Sequence, residues 1–115
     1  MKVKEIIKLL DAEILVGENQ TDMEIKGAFG SDMMSDVLAF VSDQTMLLTG
    51  LVNPQVCRTC EMVDIGCVVF VRGKRPDQMV LDIAKEKEMV IIATKEKMYQ
   101  ACGKLYHAGL GRDEN

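Results

Sequence analysis

The sequence has no tryptophan and only two prolines, and aromatic residues make up 4% of its 115 positions. With nine glycines, this composition excludes a collagen-like or low-complexity chain. No apolar run approaches the roughly 20 consecutive residues that a membrane helix needs. Charges interrupt the first residues too often for a secretory signal. We therefore expect a cytoplasmic protein that does not engage a membrane.

Basic character is lacking as well. The formal net charge is −4 and the pI is near 5.0, so the chain lacks the excess of basic side chains that binds a nucleic-acid backbone. No nucleic-acid partner is expected. Residues 1–50 carry four lysines and nine carboxylates, whereas residues 51–115 carry ten basic and nine acidic side chains. An anionic small ligand would more readily meet the second half.

Hydrophobic residues make up 48% of the chain and charged residues 28%. A chain of this length can bury roughly two-thirds of its unfolded surface, which is enough for a core without metal or disulfide. We therefore predict one domain over residues 1–110, followed by a flexible tail at 111–115.

Helical spacing of apolar residues alternates with short apolar runs that are typical of strands. Helices are predicted at 3–10, 33–41, 54–64, after Pro76 and after Thr94; strands are predicted at 12–16, 23–29, 46–51, 67–71 and 89–93. The last three strands recur at the spacing of parallel strands joined by one crossover helix. The pattern predicts a three-layer α/β sandwich, with a mainly parallel sheet of about five strands and helices on both faces.

Local signals at the helix ends give finer predictions. Ser31 and Asp32 are candidate N-caps of the second helix, Asn53 of the third and Thr94 of the last. Gly66 is predicted to end the third helix, and Met79 is placed on the buried stripe of the fourth.

Ligands of open parallel sheets collect at the carboxyl ends of the strands. The candidate ligand-binding residues in the loops there are Gly30, Ser31, Asp32, Thr49, Gly50, Asn53, Gln55, Arg72, Gly73 and Thr94. These residues either form ordinary turns and caps or line a cleft for an anionic metabolite or nucleotide. Neither a P-loop nor a dinucleotide fingerprint occurs, and no cofactor is expected.

The sequence contains one Cys-x-x-Cys motif, formed by Cys57 and Cys60. Cys60 shares a helical stripe with Val56 and Val63, which favours a buried packing role, with redox or metal chemistry as the alternative. The only histidine, His107, falls near the end of the last predicted helix, where a solvated role is expected. No nucleophile and base are paired, so no catalytic or metal-ligating residue is predicted.

From Val3 to about Gly109 the sequence resembles the DRTGG domain family. The resemblance rests on Gly-Ala-Phe-Gly-Ser-Asp at 27–32, Leu-Leu-Thr-Gly-Leu-x-Asn-Pro-Gln at 47–55 and Val-Val-Phe-Val-Arg-Gly at 68–73. The loop at 49–53 occupies the position at which the family has the Asp-Arg-Thr-Gly-Gly motif that gives it its name. Similar domains occur beside phosphotransacetylase catalytic domains and between the CBS domains of some pyrophosphatases. The resemblance implies a regulatory or ligand-sensing module rather than an enzyme.

Together these observations predict a non-catalytic regulatory or small-ligand-binding domain. We expect it to form a homodimer, with the Met-rich helix 33–41 as an adaptable apolar surface, and to act on an unidentified protein partner. The alternative is a small thiol-dependent redox protein or enzyme that uses Cys57 and Cys60.

Overall fold

The computed structural model describes residues 1–41 and 44–112. It contains five strands and five α-helices, with a short 3₁₀ turn at Glu18–Gln20. In chain order they are α1 Val3–Leu9, β1 Glu13–Val16, β2 Gly27–Gly30, α2 Met34–Phe40, β3 Thr45–Thr49, α3 Gln55–Met62, β4 Cys67–Phe70, α4 Gln78–Glu86, β5 Val90–Ala93 and α5 Met98–His107. None of the helices in these two ranges is long and apolar enough to cross a membrane.

The strands form one sheet in the order β1-β5-β4-β3-β2. Strands β2, β3, β4 and β5 run parallel to one another, whereas β1 runs antiparallel to β5 with an irregularity between Ile14 and Val16. This arrangement confirms the predicted α/β fold and its mainly parallel sheet.

Two hydrophobic clusters lie on opposite faces of the sheet. One contains Val3 and Ile6 of α1 and Leu105 of α5, and the other contains Val37 of α2, Val56 of α3 and Val80 of α4. Because successive strand side chains point to opposite faces, a strand covered on both sides must be apolar at every position. The three inner strands β3, β4 and β5 are buried throughout for this reason, and the molecule has three layers.

Several element boundaries differ from the prediction. The strand predicted at 23–29 begins only at Gly27, because the backbone of residues 23–25 bonds to the start of α1 instead of the sheet. The third helix ends at Met62, and Asp64, rather than Gly66, takes the left-handed turn with φ of 58°. Aspartate is one of the few non-glycine residues that are enriched in this conformation.

The position of Met79 was predicted wrongly, since its side chain is 62% exposed. The carboxylate of Asp77 caps α4 by accepting from the Val80 N–H at 3.2 Å. Val80 and Ala84, four positions apart, face the sheet, so Met79 is rotated towards solvent. At the other terminus Leu110 belongs to the core, while residues 113–115 of the predicted tail lie outside the described chain.

Candidate functional site

The carboxyl ends of β3, β4 and β5 are tied together by main-chain bonds. Val71 N donates to Thr49 O at 3.0 Å, Arg72 N to Glu96 O at 2.8 Å and Gly73 N to Thr94 O at 3.0 Å. The loops that follow these strands therefore share one edge of the sheet, as parallel pairing requires.

Asp32 is the centre of a polar cluster at this edge. Its Oδ1 accepts from Thr49 Oγ1 at 2.9 Å and from the Gly50 N–H at 2.7 Å, and its Oδ2 lies 3.7 Å from Arg72 Nη2. The Leu51 N–H donates to Thr49 Oγ1 at 3.1 Å and fixes that hydroxyl. Three groups from the loops after β3 and β4, the Thr49 hydroxyl, the Gly50 N–H and the Arg72 guanidinium, thus converge on the Asp32 carboxylate.

The predicted capping roles of Ser31 and Asp32 were wrong. The N-cap of α2 is Met33, which makes no side-chain cap bond. Ser31 Oγ accepts from the Met33 N–H at 3.0 Å ahead of the helix, and the Asp32 carboxylate reaches back to the end of β3. A charge-assisted bond to Gly50, shorter than a usual N–H···O bond, is stronger than a solvent-exposed helix cap.

These contacts lower the pKa of Asp32. The largest contribution is the hydrogen bond from the Gly50 N–H; desolvation opposes it, and Thr49 and Arg72 add to the lowering. Each donor stabilises the ionised form more than the neutral one. Asp32 is therefore a fixed carboxylate at neutral pH and not a candidate general acid.

Arg72 lies over the backbone of Gly50. A Cβ added at Gly50 would be 2.0 Å from Arg72 Nη2, so glycine alone leaves room for this guanidinium. Arg72 itself has a left-handed backbone, with φ of 62°, and its side chain is 47% exposed. The edge thus presents a half-exposed cation whose fork can pair with an anion.

The remaining residues of the predicted site divide into separate groups. Asn53 is one residue ahead of the N-cap Pro54 rather than at it, and its Oδ1 accepts from the Gln55 N–H at 3.0 Å. The Gln55 side chain donates along α3 to Thr59 Oγ1 at 3.5 Å. Within the described chain, no hydrogen bond joins these two exposed side chains to the Asp32 cluster.

Gly30 serves a packing role. A Cβ there would lie 2.9 Å from Cys102 Sγ and 3.1 Å from Met98 Sδ, so its absence lets α5 pack closely on the end of β2. The residue leads directly into Ser31 and Asp32, and the close approach positions that turn.

Thr94 does not cap the last helix, as predicted; the N-cap is Lys97. The buried Thr94 hydroxyl donates to Leu10 O at 2.8 Å, at the end of α1, and accepts from the Glu96 N–H at 3.2 Å. Gly73 and Thr94 line a cleft of about 300 Å³ together with residues 10–13, where Arg75 pairs with Glu13 at 3.0 Å. Sequence reasoning missed this cleft, because its two sides are joined only by contacts between distant parts of the chain.

The cysteines support a packing role. Cys57 and Cys60 are fully buried, and burial raises the pKa of Cys60 to about 12. Reactive thiols need a lowered pKa and solvent access, and Cys60 has neither. His107 is exposed at the end of α5, as expected. Over residues 1–41 and 44–112, no group of three His, Cys, Asp or Glu side chains is placed to hold a metal ion.

Comparison with known families supplies the chain's classification. The model of the DRTGG domain matches residues 5–108, nearly the whole length. The chain belongs to the DRTGG domain family. No curated protein matches this DRTGG domain significantly.

A solved structure with the same fold is the regulatory region of a Clostridium perfringens pyrophosphatase, which contains CBS and DRTGG domains and was crystallised with its activator, diadenosine tetraphosphate. The two chains are 16% identical and superpose with a TM-score of 0.74 over 90% of this chain. This DRTGG domain spans 45% of the length of that regulatory region.

Proposed function

We propose that this DRTGG domain is a non-catalytic regulatory module that binds an anionic small ligand, a nucleotide or another phosphorylated metabolite, at the Asp32–Thr49–Arg72 edge. The observation that carries the proposal is the half-exposed Arg72 guanidinium, seated over Gly50 and only loosely paired with Asp32 at 3.7 Å. Gly30, Gln55 and Asn53 support the surrounding loops, and Gly73 and Thr94 line the adjoining cleft.

The weakness of the Arg72–Asp32 pair makes it exchangeable. An exposed ion pair of this kind contributes about 0–1 kcal/mol, so a phosphate group can replace Asp32 at little cost. Phosphate oxygens match the planar fork of arginine in a bidentate way, which a lysine cannot reproduce. Asp32 keeps its two bonds to Gly50 and Thr49 when Arg72 turns away, so the edge need not unfold to bind.

A scan of phosphorylated probes tests the ligand. The probes are inorganic phosphate, acetyl phosphate, AMP, ADP, ATP and diadenosine tetraphosphate, the last because it activates the pyrophosphatase whose regulatory region shares this fold. At a hundred times Kd, a ligand that prefers the folded state adds about 2.7 kcal/mol of stability, a rise of about 10 °C in Tm for a domain of this size.

The matched variants are Arg72→Gln and Arg58→Gln. Arg58 is exposed on α3 and forms no ion pair in the described chain, so its loss should leave the ligand-induced shift intact. Arg72→Gln should remove most of the shift while changing the basal Tm little. No shift with any probe, or an equal shift in Arg72→Gln, would contradict the proposed site.

We further propose that the domain acts in the cytoplasm, as a homodimer, on a separate partner protein. Helix α2 supports an association role, because Met33, Leu38 and Phe40 are 61%, 45% and 70% exposed. Exposed apolar side chains in such a group are typical of interaction surfaces. Sedimentation that shows only monomer at high micromolar concentration would remove the dimer, and the ligand scan would be unaffected.

A further inference from the structure

Strand β2 is an edge of the sheet, and among the described residues nothing is hydrogen-bonded to the outward main-chain groups of Ala28 and Gly30. Ser31 N donates to Leu48 O at 3.0 Å, and Gly30 is in register with Leu48. In a parallel ladder this pattern turns the N–H and C=O of alternate residues towards the partner strand. The N–H and C=O of Ala28 and Gly30 therefore point away from β3, and both residues are exposed.

Over residues 1–41 and 44–112, the opposite edge carries two features that block pairing, and β2 carries neither of them. Strand β1 has a register irregularity after Ile14, and its Glu13 is held by Arg75. Irregularities and charges of this kind are the usual means of blocking a sheet edge. The four residues of β2, Gly-Ala-Phe-Gly, include no charge and no proline, and β2 pairs with β3 without a register shift.

An aromatic groove lies beside this edge. Ala28 and Gly30 line an apolar cleft of about 530 Å³ against α5, in which Tyr99 and Tyr106 also take part. These tyrosines are 86% and 61% exposed. Exposed aromatic side chains beside an open strand are typical of the buried centre of an interface.

We propose that a second copy of this chain pairs with β2 in antiparallel fashion, with the two-fold axis at Phe29. This register lets Ala28 of each copy exchange main-chain hydrogen bonds with Gly30 of the other, using the groups that point outward. It also brings the two Phe29 rings together at a position without hydrogen bonds, where cross-strand side chains approach most closely. The inference rests on the homodimer clause of the proposed function.

Charge complementarity favours a second copy over another partner. Ser31 still pairs with Leu48, and continuing the same register one residue further brings Lys26 of each copy opposite Asp32 of the other, next to the carboxylate that Arg72 already faces. Lys26 is exposed and forms no ion pair in the described part of the chain, and the Asp32 side chain is 48% exposed. A strand flanked by opposite charges, Lys26 before it and Asp32 after it, is complementary to itself under a two-fold axis.

Sedimentation equilibrium of Ala28→Glu tests the surface. Two like charges close to the axis should weaken dimerisation by about a hundredfold or more, because like-charge juxtaposition in an interface is strongly unfavourable. Met79→Glu places the same charge on α4 at a residue that is 62% exposed, and should remain dimeric. Circular dichroism melts of both variants control for folding.

Disulfide trapping tests the register directly. The Cα atoms of a non-hydrogen-bonded antiparallel pair lie about 4.5 Å apart, within reach of a disulfide, so Phe29→Cys should give a covalent dimer on mild oxidation. Leu38→Cys tests the other candidate surface, the exposed side of α2, and should not cross-link when the copies pair through β2.

The outcomes separate the two proposals. A wild-type protein that stays monomeric overturns both the dimer clause and this surface. A wild-type dimer that survives Ala28→Glu, or that cross-links through Leu38→Cys and not Phe29→Cys, overturns this surface alone. Dimer loss in Ala28→Glu, together with a cross-linked Phe29→Cys protein, supports both.

Discussion

Replacing Asp32 with asparagine should destabilise the domain by about 1 to 1.5 kcal/mol at pH 7. The change keeps the side chain's shape but removes its charge, so the bonds from Gly50 at 2.7 Å and Thr49 at 2.9 Å lose their ionic component. Bonds to charged groups contribute about 1.5–3 kcal/mol and neutral ones about 0.5–1.5, and the half-exposed position of Asp32 reduces the difference. The loss of the ion pair with Arg72 adds little to this destabilisation, because both side chains of the pair are about half exposed to solvent.

The stability difference between wild type and Asp32→Asn should also depend on pH. The pKa of Asp32 is lowered in the folded protein, mainly by the Gly50 N–H, so its contribution is complete above the unfolded pKa of about 3.9. That contribution is lost as the pH falls through the lower folded value. The free energies of unfolding of wild type and Asp32→Asn, measured with urea, should therefore differ at pH 7 and begin to converge only as the pH falls below about 4.

The matched control is Asp64→Asn. Asp64 is exposed and has no side-chain partner in the described ranges, and its left-handed backbone suits asparagine equally well. This variant should match wild type within about 0.5 kcal/mol, as most surface substitutions do. An Asp32→Asn protein as stable as wild type at pH 7, or a difference that persists unchanged to pH 3, would refute the account of the cluster.

Three further predictions concern the fold. Gly17→Ala should lower the free energy of unfolding in urea by about 2–4 kcal/mol, because φ is +93° and the new Cβ would lie 3.0 Å from the Cα atom of Val90 in β5. Gly73→Ala, with φ of +70° but no atom within 4 Å of the new Cβ, should lower it by only about 1 kcal/mol. Thr94→Val should lower stability by about 1–2 kcal/mol, since Leu10 O loses its 2.8 Å donor, and Thr94→Ser should restore most of it. Cys60, with a pKa near 12, should be alkylated only as fast as the native protein unfolds, and rapid labelling at pH 8 would contradict its burial.

The fold was largely predictable because its signals are local and repeated. Continuous apolar runs at 67–71 and 89–93 are compatible with little except strands covered on both faces, and the helices between them set the crossover spacing. Parallel pairing then fixes which loops meet, so Thr49, Arg72 and Thr94 were correctly gathered at one edge. Their role in binding stays a prediction.

The errors have a common physical cause. Asp32 and Thr94 are both of residue types that commonly cap helices. Each side chain instead forms a hydrogen bond with a residue far along the chain, 18 and 84 positions away. A capping bond competes with any better acceptor or donor that the tertiary structure brings near, and a sequence window does not contain that competitor. The cleft bounded by Arg75 and Glu13 was missed for the same reason, since its two sides are 62 residues apart.

The proposed ligand edge and the proposed dimer edge meet at Asp32, which has a definite consequence. Asp32 pairs with Arg72 in the isolated chain, but Lys26 of a second copy would approach the same carboxylate and weaken its hold on Arg72. Arg72 is then freer to bind a phosphate, so the dimer should bind the anion more tightly than the monomer. Thermodynamic linkage makes the effect reciprocal, and a saturating ligand should strengthen dimerisation by the same factor. A Lys26→Gln variant should retain binding in the thermal scan but lose this coupling, whereas equal coupling in wild type and Lys26→Gln would show that the two edges act independently.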